Sequence, residues 1–291
     1  MAKIEITHFT DPGCPWAYSA SPAIAVLKWR YGAQLDWRLV TIGLTESAEQ
    51  YIERGYTPVR ATRGYMRYRR RYGMPFATEP RERIIGTALA CRAIVATRLL
   101  DPAREDEAFR ALQIAWFTTT LLLDEPRDIA RALARVPGLD AQAVIDTLQD
   151  ERVSAAYQAD RQLARTAASS PAELQGKTAQ TDGPVRYTAP SLVLQRDDTR
   201  LEAGGFQPVQ AYDVLIANLD PSLERLQPPQ TPLAALERFP AGLVTQEVAA
   251  IMAVGNDEPD RDAVEGTLVE LASEGVARRV PLGDDALWLA V

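Results

Sequence analysis

The order of elements in the first 44 residues is the strongest constraint on the fold. IEITHF (4–9) predicts a β-strand, and after the turn DPGCP an amphipathic run from about Pro15 to Tyr31 predicts a helix with proline in its first turn. LDWRLVTIGL (35–44) predicts a second strand. Two strands joined through a helix are typical of a β-α-β unit, so we expect a parallel pair and an α/β class.

A long helical stretch separates this unit from the next strand signal. APSLVLQ (189–195) and TRLEAGG (199–205) predict a hairpin around an RDD turn, and GFQPVQAYDVLIANL then predicts a helix. We therefore expect a core of strands with a helical domain, about residues 46–186, inserted into it. The inserted helices are predicted at 58–72, 80–100, 103–123, 126–135 and 140–167.

Composition limits the class of protein. The chain has 291 residues, of which 46% are hydrophobic and 24% charged, as in ordinary globular proteins. It contains no apolar run of 18 residues, so we expect no membrane span. Two cysteines give no disulfide framework and the first residues do not resemble a secretory signal, so we expect a cytoplasmic protein.

Charge and proline mark a domain boundary near residue 228. Residues 228–291 hold 11 acidic and 4 basic side chains, so this tail accounts for the whole net charge of −7. The change coincides with QPPQTP (227–232), whose prolines favour an extended spacer. We predict two domains, 1–226 and 231–291.

The motif around Cys14 resembles that of a known family. Cys14, Pro15, Trp16 and Tyr18 match the Cys-Pro-Trp-Cys-Tyr run of the DsbA family of thiol oxidoreductases, including its cytoplasmic branches related to FrnE and 2-hydroxychromene-2-carboxylate isomerase. The resemblance covers about residues 1–222 and implies a thioredoxin-like core with an inserted helical domain. It also places Pro190 where that fold keeps a cis-proline.

Elementary chemistry supports Cys14 as a catalytic residue. At the first turn of a helix, unpaired N–H groups and the helix dipole lower a cysteine pKa from about 8.5 toward 3.5–7.5. A cis-proline at 190 would present an open backbone edge to a thiol peptide. The competing interpretation is that Cys14 is a half-buried small hydrophobe. The residues expected to contact the thiol or substrate are Pro15, Trp16, Tyr18, Ala189 and Pro190.

Ala17 stands where the family has its second cysteine, and this limits the chemistry. Without that thiol the site cannot form a local disulfide, but Cys14 can still form a mixed disulfide or a sulfenic acid that an outside thiol resolves. We therefore expect a low-molecular-weight thiol, glutathione or mycothiol, as co-substrate, with a small-molecule or protein disulfide as substrate. The isomerase relatives suggest an alternative, a thiol-dependent isomerase or transferase in which the bound thiol reacts. We expect no covalently bound cofactor and no metal.

Two other residues could take part in thiol chemistry. Cys91 lies in TALACRAIVATRLL, a closely packed helix, so an inert buried thiol is favoured over a resolving cysteine. His8 is the only histidine; on a central strand a core histidine is favoured over one that tunes the thiolate.

Arginine and tyrosine alternate in VRATRGYMRYRRRYGMPF (59–76). If this stretch is helical, Arg63 and Arg67 share a face that could grip the carboxylates of a tripeptide thiol. A solvated surface face is the competing interpretation, and the absence of overall positive charge argues against nucleic acid. Trp116 and Phe117 could wall an apolar pocket or simply pack in the core.

The tail resembles a winged-helix domain of about 60 residues. Thr245 is predicted as a helix N-cap, Gly275 ends a further helix, and Gly283 is the turn of a two-stranded ribbon. The acidic helix near 257–274 would repel DNA phosphates. We expect a protein-contact module, a dimerisation module that could form a homodimer, or a lid. A non-catalytic adaptor that recruits a partner through this tail is the competing function.

Overall fold

The computed structural model describes residues 3–291, and within that range the chain forms fourteen α-helices, two short 3-10 helices and nine strands. The strands are β1 (Ile4–Thr10), β2 (Leu35–Thr41), β3 (Thr178–Ala179), β4 (Arg186–Tyr187), β5 (Ser191–Arg196), β6 (Thr199–Ala203), β7 (Leu243–Val244), β8 (Ala277–Leu282) and β9 (Asp285–Ala290). The helices are α1 (Pro15–Ser19), α2 (Ser21–Tyr31), α3 (Glu49–Ile52), α4 (Pro58–Tyr72), α5 (Ala88–Leu100), α6 (Glu105–Thr118), α7 (Pro126–Leu133), α8 (Ala141–Asp146), α9 (Glu151–Ala164), α10 (Pro171–Leu174), α11 (Val209–Leu219), α12 (Pro232–Arg238), α13 (Thr245–Met252) and α14 (Arg261–Ser273).

A four-stranded mixed sheet in the order β2-β1-β5-β6 forms the centre of the core. β1 and β2 are parallel, as the β-α-β pattern predicts, and β5 pairs antiparallel with both β1 and β6. On one face, Ile6 and Leu194 are cross-strand partners that pack with Leu27 of α2 and Ile216 of α11. The α/β fold with an inserted helical domain is therefore confirmed.

The predicted first helix is interrupted. α1 ends at Ser19 and α2 begins at Ser21, with Ala20 as the shared cap. Proline occupies the first turn of each, at Pro15 and Pro22. Pro22 has no N–H to donate to the preceding turn, so a continuous hydrogen-bond ladder across this point is impossible.

The inserted helices follow β2 and form the largest apolar cluster. The prediction of a helix at 80–100 was too long, because α5 begins only at Ala88, after a loop that contains Pro80. The predicted helix at 103–123 ends at Thr118, and the one at 140–167 is two helices, α8 and α9, separated at 147–150. Helix α4 has the predicted bounds.

The C-terminal unit, α12 to β9, packs on α2 of the core. Its three-stranded sheet has the order β7-β9-β8. Trp288 is completely buried and belongs to one apolar cluster with Trp29 of α2, Leu236 of α12 and Val248 of α13. Core and C-terminal unit thus share an interior. Trp29 Nε1 also donates to the carbonyl oxygen of Gln227 (2.9 Å), which ties the proline-rich segment to the core.

Thr245 is not an N-cap, contrary to the prediction. It is the first residue of α13, and its hydroxyl donates to Asp285 Oδ1 (2.7 Å) and accepts from Trp288 Nε1 (2.9 Å). Val244 is instead the N-cap residue of α13, and the Glu247 carboxylate accepts its N–H (2.9 Å). Within residues 3–291, none of the helices combines the length and apolar character that crossing a membrane requires.

Candidate active site around Cys14

Cys14 is the N-cap residue of α1, directly after the loop that leaves β1. Asp11 fixes this loop. Its Oδ1 accepts the N–H of Gly13 and its Oδ2 accepts the N–H of Leu44, both at 2.9 Å. Asp11 is fully buried, and burial raises the pKa of its carboxyl. The Cys14 backbone is therefore held between β1 and the segment that follows β2.

The Cys14 thiol is enclosed. Its Sγ donates to the carbonyl oxygen of Ala189 at 3.1 Å, and the residue is only 5% exposed. The Ala189–Pro190 peptide bond is cis. Ala189 and Pro190 are themselves buried, and the Ala189 carbonyl edge is occupied by the thiol. Cys14 packs with other apolar side chains, among them Phe9, Val40, Ala172 and Val193.

Burial, not the helix terminus, dominates the acidity of Cys14. Loss of solvent raises the pKa of the thiol to about 12. The backbone N–H groups of Ala17 and Trp16 and the charge of Arg186 lower the pKa, while the Asp11 carboxylate raises it. The lowering that the sequence predicts is present but outweighed, because the thiolate has little access to water. In this conformation Cys14 is a protonated thiol at neutral pH.

Trp16 presents the most exposed aromatic surface beside the cysteine. The residue is 42% exposed and meets three rings edge-on. Their centroids lie 5.1 Å (Tyr68), 5.9 Å (Tyr72) and 5.8 Å (Phe206) away. Trp16 therefore joins α1 to α4 and to the loop after β6, and it leaves an apolar face open to a ligand.

A cavity of about 310 Å³ adjoins the cysteine loop, and we call it the arginine cavity. Gly13 and Pro15, on either side of Cys14, form part of its wall. Aromatic side chains from α4 and the flanking loops form another part, and the acidic residue Glu79 also lines it. The arginines of the wall are Arg60, Arg67, Arg81 and Arg83. Arg83 pairs with Asp124 and Glu125 outside the wall, and the other three arginines against the one carboxylate of Glu79 give the arginine cavity a positive potential that favours an anionic ligand.

The four arginines differ in their freedom. Arg81 is half-buried over the Trp116 ring and donates through Nε to the Leu121 carbonyl oxygen (2.9 Å), and desolvation lowers its pKa. Arg83 forms ion pairs with Asp124 and Glu125. Arg67 is exposed and forms no ion pair within the described part of the chain. Arg60 is also exposed, but it donates to the Gly55 carbonyl oxygen (2.8 Å) and lies over the Tyr56 ring, so Arg67 is the cation of the wall best placed to pair with a bound anion.

The two arginines predicted as anionic-ligand contacts lie in different environments. Arg67 lines the arginine cavity, whereas Arg63, one turn earlier on α4, is exposed and does not line it. The sequence suggested two aromatic residues, Trp116 and Phe117, as walls of an apolar pocket. Both line the arginine cavity.

Tyr18 is not a ligand contact, and here the sequence interpretation was wrong. Its side chain is completely buried, its ring stacks on Phe117 at 4.7 Å, and its hydroxyl donates to the Pro75 carbonyl oxygen at 2.9 Å. Residues two positions apart lie on nearly opposite sides of an α-helix. On α1, Trp16 therefore faces solvent while Tyr18 enters the helical core.

Cys91 and His8 are both enclosed. Cys91 is fully buried on α5 and donates to Asp11 Oδ2 at 3.5 Å, and burial raises the pKa of its thiol well above the ordinary value. His8 is 8% exposed, and burial lowers the pKa of its imidazole to about 4. Neither residue therefore supplies an ionised group to the site at neutral pH.

Sequence reasoning missed two arginines, one half-buried and one buried. Arg81 was overlooked because it lies in a loop outside the arginine-tyrosine pattern, and Arg186 because a single arginine in a two-residue strand carries no signal. Arg186 is 5% exposed and donates to the Tyr187 carbonyl oxygen at 3.0 Å. Among residues 3–291, no cluster of three or more His, Cys, Asp or Glu side chains is placed to hold a metal ion.

Three solved structures with a similar fold are described as thiol-disulfide proteins or candidates for that role. The cytosolic disulfide reductase DsbM from Pseudomonas aeruginosa is similar, with a TM-score of 0.53 and 20% identity over 75% of this chain and 100% of that one. A candidate protein disulfide isomerase from Nitrosomonas europaea has a TM-score of 0.55 and 18% identity, over 75% of this chain and 96% of that one. A candidate DsbA oxidoreductase from Streptomyces coelicolor has a TM-score of 0.54 and 16% identity, over 77% of this chain and 93% of that one.

Sequence comparison identifies the family independently of these structures. A search of curated protein sequences returns no match. The family model described as the DSBA-like thioredoxin domain, in contrast, matches residues 5–168, which include most of β1, the Cys14 loop and most of the helical insertion. That match extends over more than half of the chain, and its N-terminal strand and cysteine-bearing helix are those of the fold described above. The protein belongs to the DSBA-like thioredoxin domain family.

Proposed function

We propose that this protein is a single-cysteine thiol-disulfide oxidoreductase that works with a small anionic thiol bound in the arginine cavity. The observation that carries the proposal is that Gly13 and Pro15, the two neighbours of Cys14, line a cavity with four arginines. A thiol ligand held there by its carboxylates would have its sulfur beside the Cys14 loop.

The chemistry of the cavity fits a peptide thiol such as glutathione. Such a ligand carries carboxylates for Arg67 and its neighbours, and arginine binds carboxylates through paired hydrogen bonds. Tyr56, Tyr65 and Tyr68 add hydroxyl groups and ring faces to the same wall. The P. aeruginosa disulfide reductase DsbM has also been solved with GSH, which supports glutathione over mycothiol as the first probe.

The reaction follows from having one thiol at the helix terminus. The Cys14 thiolate attacks a substrate disulfide, forming a mixed disulfide with one half and releasing the other half as a thiolate that takes up a proton. A glutathione thiolate then attacks the mixed disulfide. This second exchange restores Cys14 and leaves a disulfide that contains glutathione. Because Ala17 has no thiol, the protein cannot store the two electrons in an internal disulfide.

The resting state of Cys14 sets a condition on this reaction. A thiol with a pKa of about 12 supplies little thiolate at neutral pH. Attack therefore requires that Cys14 give up its hydrogen bond to Ala189 and gain access to solvent or to a cationic side chain. Substrate that adds to the backbone edge at Ala189 would compete for that carbonyl oxygen.

The burial of Cys14 also favours a second candidate function. If the thiol remains enclosed, the bound small thiol itself performs the chemistry and Cys14 only helps to position it, as in a thiol-dependent isomerase or transferase. The two functions share the arginine cavity but differ in whether a covalent bond to Cys14 forms.

Intact mass spectrometry after treatment with glutathione disulfide distinguishes the two. We expect one glutathione adduct on the wild-type protein and on Cys91→Ser, and none on Cys14→Ser. Arg67→Ala should slow adduct formation about tenfold, whereas Arg63→Ala, the matched control on the same face of α4, should leave the rate unchanged. Saturable glutathione binding without any adduct would instead establish the second candidate. If glutathione neither binds nor forms an adduct, both candidate functions are refuted.

The remaining parts of the proposal concern location and partners. We place the activity in the cytoplasm, supported by the cytosolic description of DsbM and by the low cysteine content. We further propose that the C-terminal unit is a winged-helix-like protein-contact module. Helix α14 and its approach are acidic, and Arg261 is already paired with Asp285. This charge disfavours nucleic acid as a partner.

A further inference from the structure

A second cavity, of about 200 Å³, lies where the C-terminal unit meets the core, and we call it the interface cavity. Its wall comes from β1, α1, α2 and α6 on one side and from α13 and the segment 238–243, which runs from the end of α12 to the start of β7, on the other. The interface cavity and the arginine cavity share no lining residue. It therefore needs an explanation of its own.

Three buried polar atoms of the residues that line this cavity have no hydrogen-bond partner within residues 3–291. They are His8 Nε2, Gln113 Nε2 and Arg110 Nε. His8 and Gln113 are only 8% and 3% exposed. Folded proteins pair nearly all of their buried polar groups, so three unpaired atoms around one cavity point to a ligand. At least two of the three are N–H donors, and they require acceptor atoms in that ligand.

Most charges of the wall are already in ion pairs, and Glu107 pairs with Arg104, which lies outside the wall. Arg110 and Glu247 form a two-pronged ion pair with contacts of 2.7 and 2.6 Å. Lys28 is paired with Asp106. The remaining cation, Arg238, is exposed at the rim and lies over the Trp29 ring, 5.3 Å from its centroid. A charged ligand would thus enter the cavity without a buried counter-ion, which is costly.

The rest of the wall is apolar and includes flat rings. Phe109 and Phe239 line it together with Ile24 and Leu243. Phe109 also meets the His8 ring edge-on at 6.2 Å. A volume of about 200 Å³ is below the usual range for drug-sized ligands and suits a molecule of one ring.

We propose that the interface cavity binds a small, uncharged, planar molecule that carries a carbonyl acceptor, an aromatic carboxamide or a ring amide. Gln113 and Arg110 donate to its carbonyl oxygen, and Phe109 and Phe239 cover its ring. The ligand lies between core and C-terminal unit, so it stabilises their contact. This site is independent of the proposed thiol chemistry.

The single histidine gives a direct test with nicotinamide as the probe. His8 produces the only imidazole signals of the protein, so we expect nicotinamide to shift them saturably in NMR spectra of the labelled full chain. Nicotinate, which has the same ring but a carboxylate, should bind at least tenfold more weakly. Gln113→Leu should weaken nicotinamide binding at least tenfold, while Gln142→Leu, an exposed control on α8, should not.

A cavity-filling variant guards against misfolding of the Gln113 variant. Ala241→Leu enlarges a side chain of the loop that lines the cavity and should abolish the saturable shift in a protein with a native thermal transition. Cys14→Ser should bind nicotinamide as the wild type does, which separates this test from that of the proposed function. Absence of a saturable shift in the wild type, or equal affinity in wild type and Ala241→Leu, would overturn the proposal.

Discussion

Cys14 donates its thiol hydrogen to the carbonyl oxygen of Ala189 at 3.1 Å, across 175 positions of sequence. The contact joins the start of α1, before the helical insertion in sequence, to the segment after the insertion that enters β5. It also shows why the cysteine of this motif is at rest, since the hydrogen bond holds the neutral thiol and burial disfavours its anion.

The first prediction concerns the reactivity of Cys14. Because its pKa is raised to about 12, the thiolate fraction should rise about tenfold for each pH unit between 7 and 9. The rate of alkylation by iodoacetamide, followed by peptide mass spectrometry, should increase in the same proportion without a plateau. Cys91, which is fully buried, provides the slower internal reference. A plateau below pH 8 would show that the thiol is activated in solution.

The second prediction concerns Gly13. A Cβ at this position would lie 2.6 Å from Thr87 Cγ2 and 2.8 Å from Trp116 Cζ2, so Gly13→Ala should destabilise the protein by about 1–3 kcal/mol through overpacking. Gly266→Ala on α14 is the matched control, because a Cβ there has no neighbour within 4 Å. It should stabilise the protein by up to about 1 kcal/mol through helix propensity. Urea unfolding of both variants measures the difference; equal stabilities would contradict the clash.

Part of this site was predictable from sequence, because local patterns determine it. The strand and helix around the cysteine follow from alternation in residues 4–9 and from a proline suited to a helix start. The hairpin of β5 and β6 follows from two apolar runs and the turn between them, in which Asp197 adopts a positive φ.

The burial of individual side chains was not predictable, because it depends on segments far apart in sequence. Trp16 of the same motif is exposed, yet Tyr18 is covered by Phe76 from the loop after α4 and by Phe117 of α6, both in the insertion. The solvent exclusion of Cys14 similarly requires side chains from β2, α10 and β5. A periodicity argument contains no information about which distant residues converge on a position.

The third prediction concerns the ion pair between Arg110 of α6 and Glu247 of α13. Glu247 is 1% exposed, so Arg110→Ala would leave a buried carboxylate without its cation and should cost about 3–5 kcal/mol. Arg131→Ala is the control, since that arginine pairs with Asp128 from a largely exposed position and should cost less than about 1 kcal/mol. Both values come from chemical unfolding at pH 7. Similar small losses would mean that the pair does not hold the C-terminal unit to the core.

The last prediction concerns acid stability and His8. Burial lowers the pKa of His8 to about 4 in the folded protein, with a further lowering from the charge of Lys28 and an opposing effect from Asp106. In the unfolded chain the imidazole titrates near its ordinary pKa of about 6.5. Between these values only the unfolded state binds the proton, so acidification from pH 6.5 to 4 stabilises the unfolded state.

The corresponding loss is on the order of 3 kcal/mol, and it can be isolated because His8 is the only histidine. Carboxylates also titrate in this range, but they do so in both wild type and His8→Gln. The free energy of unfolding of the wild type minus that of His8→Gln should therefore decrease as pH falls from about 7.5 to 4. Above about pH 7.5 this difference should be constant. Curves that stay parallel from pH 7.5 to 4 would show that the folded protein accepts a proton on His8 as readily as the unfolded chain does.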